Sequence, residues 1–321
     1  MKKNLFIISS PLQLVNIQEL IVDKNLNQNT IIALYINDNQ REHIKNTSFF
    51  LGIKNIKYFK RKRILAYLYM VFIGVKIWRV NYFVFGNLLD NHHLFLCSLV
   101  KKNKTILVDD GFLTIESFSR YKKLDYPSNI TFFLKFPLNL HFFTSHDLIE
   151  SKNIIKNEFK NLSKLSRFKK TSNIVYFIGA RVYQRIGERN HIKIIKNLSD
   201  SNKKFIYFPH RRESLGFLKK LEDSGVIVSK ENMAFELILI KSNIIPSKII
   251  GFISSAYWNI VSLNKLSFNG KIKLYFVPLV YFKSDYENLI QLGIKKLDIK
   301  TVLEKFKDKE CEYISVTNQI K

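Results

Sequence analysis

Short apolar runs alternate along the chain with longer segments in which apolar residues recur at helical spacing. In the first half, residues 5–8, 31–36, 82–85 and 105–108 have the composition of buried strands. The segment from Leu12 to Ile21 reads as a helix, and Pro11 suits its first turn. Strands that alternate with helices predict an α/β architecture with parallel sheets and crossover helices.

A polar, lysine-rich stretch at residues 151–172 separates this half from a second set of apolar runs. Strands are predicted in the second half at residues 173–179, 203–210, 225–229, 247–255 and 272–278, with helices between them. A chain of 321 residues is long enough for two cores. We therefore expect two Rossmann-like domains, residues 1–155 and 156–321, with the last helix as a candidate to pack back on the first domain. A central cleft is expected between them, with ligands outside the carboxyl ends of the strands.

The longest apolar run covers residues 64–75 and stops at Lys76. It is shorter than the ~18 residues that a membrane span needs, so no transmembrane helix is predicted. A buried helix is the preferred interpretation. The basic residues at 57–63 and the nearby Trp78 support an alternative, a helix that lies on an anionic membrane surface.

The net charge is +26, from 52 Lys and Arg against 26 Asp and Glu, and it predicts an anionic partner. Nucleic acid, an anionic membrane and a phosphate-bearing substrate all fit, and a Lys-rich genome composition would explain the charge without any function. The chain has no helix-turn-helix, RRM or zinc-finger pattern, which argues against nucleic acid. Two cysteines without zinc-type spacing indicate a reducing compartment and no structural metal. The first apolar run is too short for a signal peptide and reads as a strand.

The motif "VDDG" places Asp109, Asp110 and Gly111 at the end of a predicted strand. Adjacent strand residues point in opposite directions, so at most one carboxylate should face a ligand. That carboxylate could act as a general base for a hydroxyl nucleophile, or bind a divalent ion together with phosphate. An Asp-Gly turn that caps the next helix is an equally good explanation of this stretch alone.

Two further motifs follow strands in the second half. In "YFPHRRES", His210 could protonate a leaving group or bind phosphate, and Arg211 would add affinity for an anion. In "GFISSAYWN", Ser254 and Ser255 open a predicted helix, where hydroxyl and N–H groups suit a phosphate. A structural histidine and a plain serine N-cap are the alternatives.

Together, "IISSPLQLVNIQEL", "DDG", "YFPHRRE" and "GFISSA" resemble motifs of the bacterial sialyltransferases of glycosyltransferase family 52 and the related polysialyltransferases, which act on lipooligosaccharide and capsule. The resemblance implies a GT-B fold, CMP-sialic acid as donor, no metal or other cofactor, and inversion at the anomeric carbon. One departure is that His210 is followed by Arg211, where the family has His-Pro.

The resemblance also implies roles for particular residues. Asp109 or Asp110 would be the general base, with Asp110 preferred, and His210 would contact the departing phosphate. The phosphate and the nucleotide would be held by Ser254, Ser255, Arg211 and Glu236. The loops of the site would contain Ser9, Ser10, Gln13 and Gly111.

The expected function is therefore an inverting sialyltransferase that acts on a terminal sugar, galactose by expectation, of a glycan or glycolipid acceptor. It would be cytoplasmic and peripheral at the inner face of the bacterial cell membrane, in contact with anionic lipid. The oligomeric state is open, with a homodimer as one alternative. The competing functions are a GT-B enzyme for another nucleotide sugar, and a basic membrane-surface or nucleic-acid binding protein without catalysis.

Overall fold

A computed structural model describes residues 3–61, 64–124, 136–146, 148, 152–166, 170–180, 187–211, 213–242, 244–252, 255–268, 271–277 and 311–313. The chain divides into two compact units. Unit 1 comprises Met1–Ser166 and Asn232–Ile238, and unit 2 comprises Arg167–Glu231 and Leu239–Lys321. Each unit is built on one parallel sheet with helices, which confirms the predicted α/β class.

The sheet of unit 1 has the order β3-β2-β1-β4-β5-β6-β7, and each neighbouring pair of strands is parallel. The strands are β1 (Asn4–Ile8), β2 (Asn29–Tyr35), β3 (Ile56–Lys60), β4 (Arg79–Phe85), β5 (Lys101–Val108), β6 (Leu140–Thr144) and β7 (Ile154–Lys156). The helices that precede unit 2 in the chain are α1 (Pro11–Asp23), α2 (Asp38–Phe50), α3 (Ile64–Lys76), α4 (Asn91–Leu99), α5 (Phe112–Lys123) and α6 (Lys160–Lys164).

Both faces of this sheet are buried. In β1, Leu5 and Ile7 join the apolar cluster that packs under α3, α4 and α5, whereas Phe6 and Ile8 join the cluster under α1 and α2. Successive strand residues point to opposite faces, so a strand covered on both sides reads as a continuous apolar run. This explains why the inner strands stand out in the sequence.

The sheet of unit 2 has the order β12-β11-β10-β8-β9 and is also parallel. Its strands are β8 (Lys170–Ile178), β9 (Phe205–Phe208), β10 (Ile244–Phe252), β11 (Lys273–Val277) and β12 (Cys311–Tyr313). The helices of this part of the chain are α7 (Glu188–Asp200), α8 (Leu215–Asp223), α9 (Phe235–Lys241) and α10 (Ser255–Ser267).

Several elements differ from the sequence predictions, and β3, β6, β7 and β12 were not among the predicted strands. The strand predicted at residues 225–229 is wrong, because Val228 makes only an isolated bridge to Tyr207. The basic run at residues 57–63 contains most of β3, which lies at the edge of the unit 1 sheet, where lysines are common.

Helix α3 is the largest departure from the predicted core. It buries only Ala66, Met70, Ile73 and Gly74, and its other face is exposed, so the buried-helix interpretation is wrong. The inner face packs tightly, since a Cβ on Gly74 would lie 3.0 Å from Leu99 Cβ of α4. Among the described residues, no helix combines the length and the hydropathy needed to span a bilayer.

The segment Asn232–Ile238 follows part of unit 2 in the chain but packs with unit 1. Asn46 Nδ2 donates to Asn232 O at 3.1 Å, and Ala234 N donates to Thr47 Oγ1 at 3.3 Å. Both partners lie on α2, so polar contacts as well as apolar burial hold this segment on unit 1.

Candidate functional site

The switch point of the unit 1 sheet lies at the carboxyl ends of β1 and β4. The chain moves from β1 to β2 on one side and later places β4 on the other side. Ligands of open α/β sheets bind outside the carboxyl ends of the strands at such a point. Of the candidate residues, Ser9, Ser10 and Gln13 follow β1, and Asp109 and Asp110 follow β5.

The two aspartates have different surroundings. Asp109 is 1% exposed, and its Oδ2 accepts from Ser145 N at 2.7 Å and from Ser145 Oγ at 3.2 Å. Its carbonyl oxygen accepts from Asn16 Nδ2 at 3.1 Å, whereas its Oδ1 has no hydrogen-bond partner among the described residues. Asp109 therefore ties the ends of β5 and β6 together, while Asp110 is half-buried and reaches the surface.

Asp110 is held by groups at the N-terminal ends of α1 and α5. Its Oδ1 accepts from Ser10 Oγ at 3.0 Å, and its N–H donates to Thr114 Oγ1 at 2.9 Å. Ser10 also caps α1, where its Oγ accepts from Gln13 N at 3.2 Å. Because the helix N–H occupies a lone pair of the hydroxyl oxygen, the hydroxyl proton is free to point at Asp110.

Gly111 gives the turn after the aspartates its shape. Its φ of 70° and ψ of −139° lie in a region that is open almost only to glycine. The carbonyl of Gly111 is 3.1 Å from His146 Nε2, so the turn is tied to the end of β6.

The side chain of Gln13 lies at the switch point of the unit 1 sheet. It is fully buried, its Oε1 accepts from Ser9 N at 2.6 Å, and its Nε2 donates to Gly86 O at 3.1 Å. A Cβ on Gly86 would lie 2.0 Å from Gln13 Cδ. Gln13 thus links the ends of β1 and β4 by its amide, and glycine at position 86 makes room for it.

In unit 2 the switch point lies between β8 and β10, and Gly179 directly follows β8. A Cβ on Gly179 would lie 2.9 Å from both His210 N and Phe208 O, and 2.6 Å from Tyr207 Oη. The absence of a side chain here lets the loop after β9 approach the end of β8. That loop contains half-buried His210.

Glu213 holds the loop that contains His210 through hydrogen bonds. Its Oε2 accepts from His210 N at 2.9 Å, its Oε1 accepts from Tyr207 Oη at 2.7 Å, and its N–H donates to His210 O at 2.9 Å. Burial raises the pKa of Glu213 to about 8, although the hydrogen bonds from Tyr207 and His210 oppose the shift. The carboxyl group is therefore neutral at pH 7. Glu213 precedes α8 in the chain, and the N-cap of that helix is Ser214.

The remaining candidate residues are less informative. Arg211 is half-buried beside His210, Ser254 lies outside the described residues, and Ser255 is the first residue of α10. Glu236 is buried in the segment that packs with unit 1. The nucleotide contact suggested for Glu236 stays a prediction.

A buried charged cluster beside the end of β4 was not predicted from the sequence. Asp90 caps α4, and its Oδ2 is 2.7 Å from Arg61 Nη2. His92 Nδ1 lies 3.2 Å from Asp90 Oδ1, and His93 is fully buried. The run of polar residues "DNHH" shortly after a strand was the available signal.

The charges of this cluster are set by burial and proximity. Burial opposes ionisation of Asp90, but His93, His92 and Arg61 hold its pKa well below the usual range. Burial lowers the pKa of His93 to about 4, so this imidazole is neutral at pH 7. The cluster therefore fixes the loop after β4 through an Asp90–Arg61 ion pair.

In the parts of the chain that the structure describes, no three His, Cys, Asp or Glu side chains converge as a metal site. The polar groups at the two sheet edges are hydroxyls, carboxyls, an imidazole and backbone amides. Such groups can bind and deprotonate a hydroxyl, or bind a phosphate.

Comparison with solved structures shows which fold this is. A Listeria monocytogenes protein provisionally named as a UDP-N-acetylglucosamine 2-epimerase aligns with a TM-score of 0.50 and 10% identity, over 94% of this chain and 90% of the other. The chain has the GT-B fold. Another UDP-N-acetylglucosamine 2-epimerase aligns with a TM-score of 0.47 and 11% identity, over 97% and 91% of the two chains. MurG of Acinetobacter baumannii aligns with a TM-score of 0.37 and 8% identity, over 90% and 83%.

These comparisons correct the resemblance drawn from short motifs. No protein-family model matches the chain, and no curated protein matches it. The structure that aligns with a TM-score of 0.50 is named as an epimerase and no family model matches the chain, so the assignment to sialyltransferases of family 52 is wrong. The motifs "DDG" and "SS" are short, and strand ends of many α/β proteins carry such residues.

Proposed function

We propose that this GT-B chain is a glycosyltransferase that takes its sugar from a nucleotide sugar other than CMP-sialic acid and transfers it to a hydroxyl of a glycan or glycolipid. The observation that carries the proposal is the position of Asp110. Its half-buried carboxylate is held by Ser10 at 3.0 Å, at the edge of a parallel sheet where ligands of this architecture bind.

Asp110 would act as the general base. An acceptor hydroxyl attacks the anomeric carbon and loses its proton to the carboxylate, while the bond from that carbon to the phosphate oxygen breaks and the nucleotide leaves with the electron pair. The hydrogen bond from Ser10 Oγ orients the carboxylate that would receive the proton. Asp109 would act only by positioning, because it is buried and bound to Ser145.

The phosphate would be bound by the loop after β9 in unit 2. His210 and Arg211 lie on this loop, and Glu213 fixes the backbone on both sides of the histidine. Because Glu213 is neutral at pH 7, it can hold the loop without adding a negative charge beside a phosphate. Cationic side chains would then neutralise charge on the leaving nucleotide.

Nucleotide binding is tested first, by thermal unfolding of the full chain with UDP, dTDP, GDP and CMP. A ligand that binds only the folded state raises the melting temperature. The structure with a TM-score of 0.50 is named for a UDP sugar, so uridine nucleotides are the first choice. Stabilisation by one nucleoside diphosphate at millimolar concentration is expected. Stabilisation by none of them, together with salt-sensitive binding to DNA, would favour the non-catalytic alternative.

Turnover is tested with the nucleotide sugar that matches the stabilising nucleotide, by nucleotide release with and without glycan acceptors. Asp110→Asn should lower kcat by about 10²- to 10⁴-fold with nucleotide binding retained, because only the base is removed. Asp223→Asn changes an exposed carboxylate of α8 and is the matched control. If the sugar is converted to an isomer when no acceptor is present, the activity is epimerisation and the proposed transfer is wrong. Full activity of Asp110→Asn would remove the proposed base.

A further inference from the structure

The exposed face of α3 differs from the rest of the described surface. Seven large apolar side chains on α3 and just after it are exposed: Ile64, Leu65, Leu68, Val71, Phe72, Val75 and Trp78. We call this set the α3 face. Ile64 is 77% exposed and Val75 is 72% exposed, at opposite ends of the helix. Single exposed apolar residues are normal, but a row along one helix indicates a binding surface.

The spacing shows that these side chains form one stripe. Ile64, Leu68, Phe72 and Val75 recur at intervals of three or four residues, which places them on the same side of a helix. The opposite side carries Met70 and the other buried residues. Helix α3 is thus apolar on both sides, and only one side is covered by its own unit.

Positive charge surrounds the α3 face. Lys57, Lys76, Arg79 and Lys101 are exposed, and Lys101 N donates to Trp78 O at 2.9 Å. Between Glu42 and Asp109 the only acidic residue in the sequence is Asp90, which is buried and paired with Arg61. Residues 43–108 therefore supply exposed positive charge next to α3 in the chain and no exposed carboxylate.

We propose that the α3 face docks unit 1 on a membrane surface that contains anionic lipids. The apolar side chains enter the boundary between headgroups and acyl chains, Trp78 lies at headgroup level, and the flanking lysines and arginine contact lipid phosphates. Helix α3 has 13 residues, a length of about 20 Å, so it lies in the plane of the surface and does not cross the bilayer.

Other occupants fit the α3 face less well. A second copy would place the same basic flanks against each other, which like charges oppose. Single-stranded nucleic acid would use aromatic rings for base stacking, whereas five of the seven side chains are aliphatic. Acyl chains need only apolar area, and anionic headgroups match the flanks.

Docking is tested by co-sedimentation of the full chain with vesicles of phosphatidylcholine, with and without phosphatidylglycerol. Because no nucleotide is present, the result is independent of the proposed reaction. Leu68→Ser/Phe72→Ser should lower the partition coefficient by about 10-fold or more without changing the net charge. Phe49→Ser is the matched control, since Phe49 is 88% exposed at the end of α2, and it should bind like the wild type. Equal binding of the double variant and the wild type would refute docking through α3.

The basic flanks are tested separately. Lys76→Gln/Arg79→Gln should weaken binding to phosphatidylglycerol vesicles by about 10-fold or more. Lys193→Gln/Lys203→Gln removes two exposed lysines of unit 2 and should have little effect. An equal loss in both pairs would show that only the overall charge matters, and would refute a specific surface.

Insertion depth is tested with brominated lipids, which quench tryptophan at the acyl boundary. The wild type should be quenched, and Trp78→Phe should lose most of that quenching. Unchanged quenching in Trp78→Phe would refute the orientation. A concentration-dependent dimer that Leu68→Ser/Phe72→Ser disrupts, without any loss of vesicle binding, would assign the α3 face to a second copy instead.

Discussion

Both units place their candidate residues at the carboxyl edge of a parallel sheet, but they hold them by different means. In unit 1 the edge is a network of side chains, in which Asp109 binds Ser145 and Gln13 links two strand ends. In unit 2 the Glu213 side chain holds the loop with His210, and the backbone of that loop also comes within 2.9 Å of a Cβ position on Gly179. Side-chain networks can be adjusted one residue at a time, whereas a backbone approach allows no substitution at the glycine.

The largest expected losses of stability are at Gly179 of unit 2 and Gly86 of unit 1, and the two losses differ in which atoms cause them. Gly179→Ala should lower the free energy of unfolding by about 3 kcal/mol, because the new methyl group meets the backbone at His210 and Phe208. The same loss is expected in a Tyr207→Phe background, since the backbone atoms remain. Gly216→Ala in α8 meets no atom within 4 Å and should leave stability equal or slightly higher, because alanine favours helix. Urea unfolding measures all of these.

Gly86→Ala should cost a similar amount, but through the Gln13 side chain. In a Gln13→Ala background the clash is gone, and the added cost of Gly86→Ala should fall to about 1 kcal/mol or less. A cost that stays near 3 kcal/mol in that background would mean that Gly86 also meets backbone, and the contrast between the units would disappear.

Glu213 of unit 2 should make the stability of the protein depend on pH. Its pKa is raised to about 8 in the folded state and is about 4.3 in an unfolded chain, so between these values only the folded state holds the proton. The stability from this group is fully present below about pH 4 and is lost as the pH rises to about 8, by about 1 kcal/mol per pH unit.

Glu213→Gln removes the titration and should flatten that part of the stability profile, measured by urea unfolding between about pH 5 and about pH 9. Glu222→Gln changes an exposed glutamate of α8 and should keep the wild-type slope. A Glu213→Gln profile that falls as steeply as the wild type would assign the slope to other groups.

The aspartate pair separates stability from activity within unit 1. Asp109→Ala leaves the buried N–H of Ser145 without its acceptor and should lower the free energy of unfolding by about 2 kcal/mol. Asp110→Ala should cost about 1 kcal/mol or less, because the carboxylate is half-buried and its hydrogen bond from Ser10 is only partly buried. Thermal and urea unfolding should show a larger loss of stability in Asp109→Ala than in Asp110→Ala. A larger loss in Asp110→Ala would give the structural role to Asp110.

A stability effect close to that of Asp110→Ala is expected at Ser10. Ser10→Ala removes the N-cap of α1 and the hydroxyl bound to Asp110, and should cost about 1 kcal/mol. Asn37→Ala removes the N-cap of α2 and should cost the same. Only Ser10→Ala should also lower turnover of the proposed reaction. Equal turnover in the two variants would show that Ser10 serves the helix alone.

Much of the fold was predictable because burial on both faces leaves a clear pattern. The inner strands β1, β4 and β5 are apolar runs, and α1 begins at Ser10 and Pro11 as expected. The edge strand β3 was missed, since a strand with one free edge keeps polar residues. A buried helix was predicted at α3 in place of the exposed stripe, because an apolar run has the same composition whether its side chains contact protein or solvent.

The sequence by itself determined the α/β class and the positions of strand-end residues such as Asp110 and His210, because local periodicity and turn chemistry depend on neighbouring residues. The tertiary structure alone decided that Asp109 is buried and Asp110 is half-buried, that Gln13 crosses to Gly86, and that Asn232–Ile238 packs with unit 1. These facts join residues from about 70 to about 190 positions apart. Burial and hydrogen bonding over such separations depend on how strands are ordered in the sheet, which no local pattern specifies.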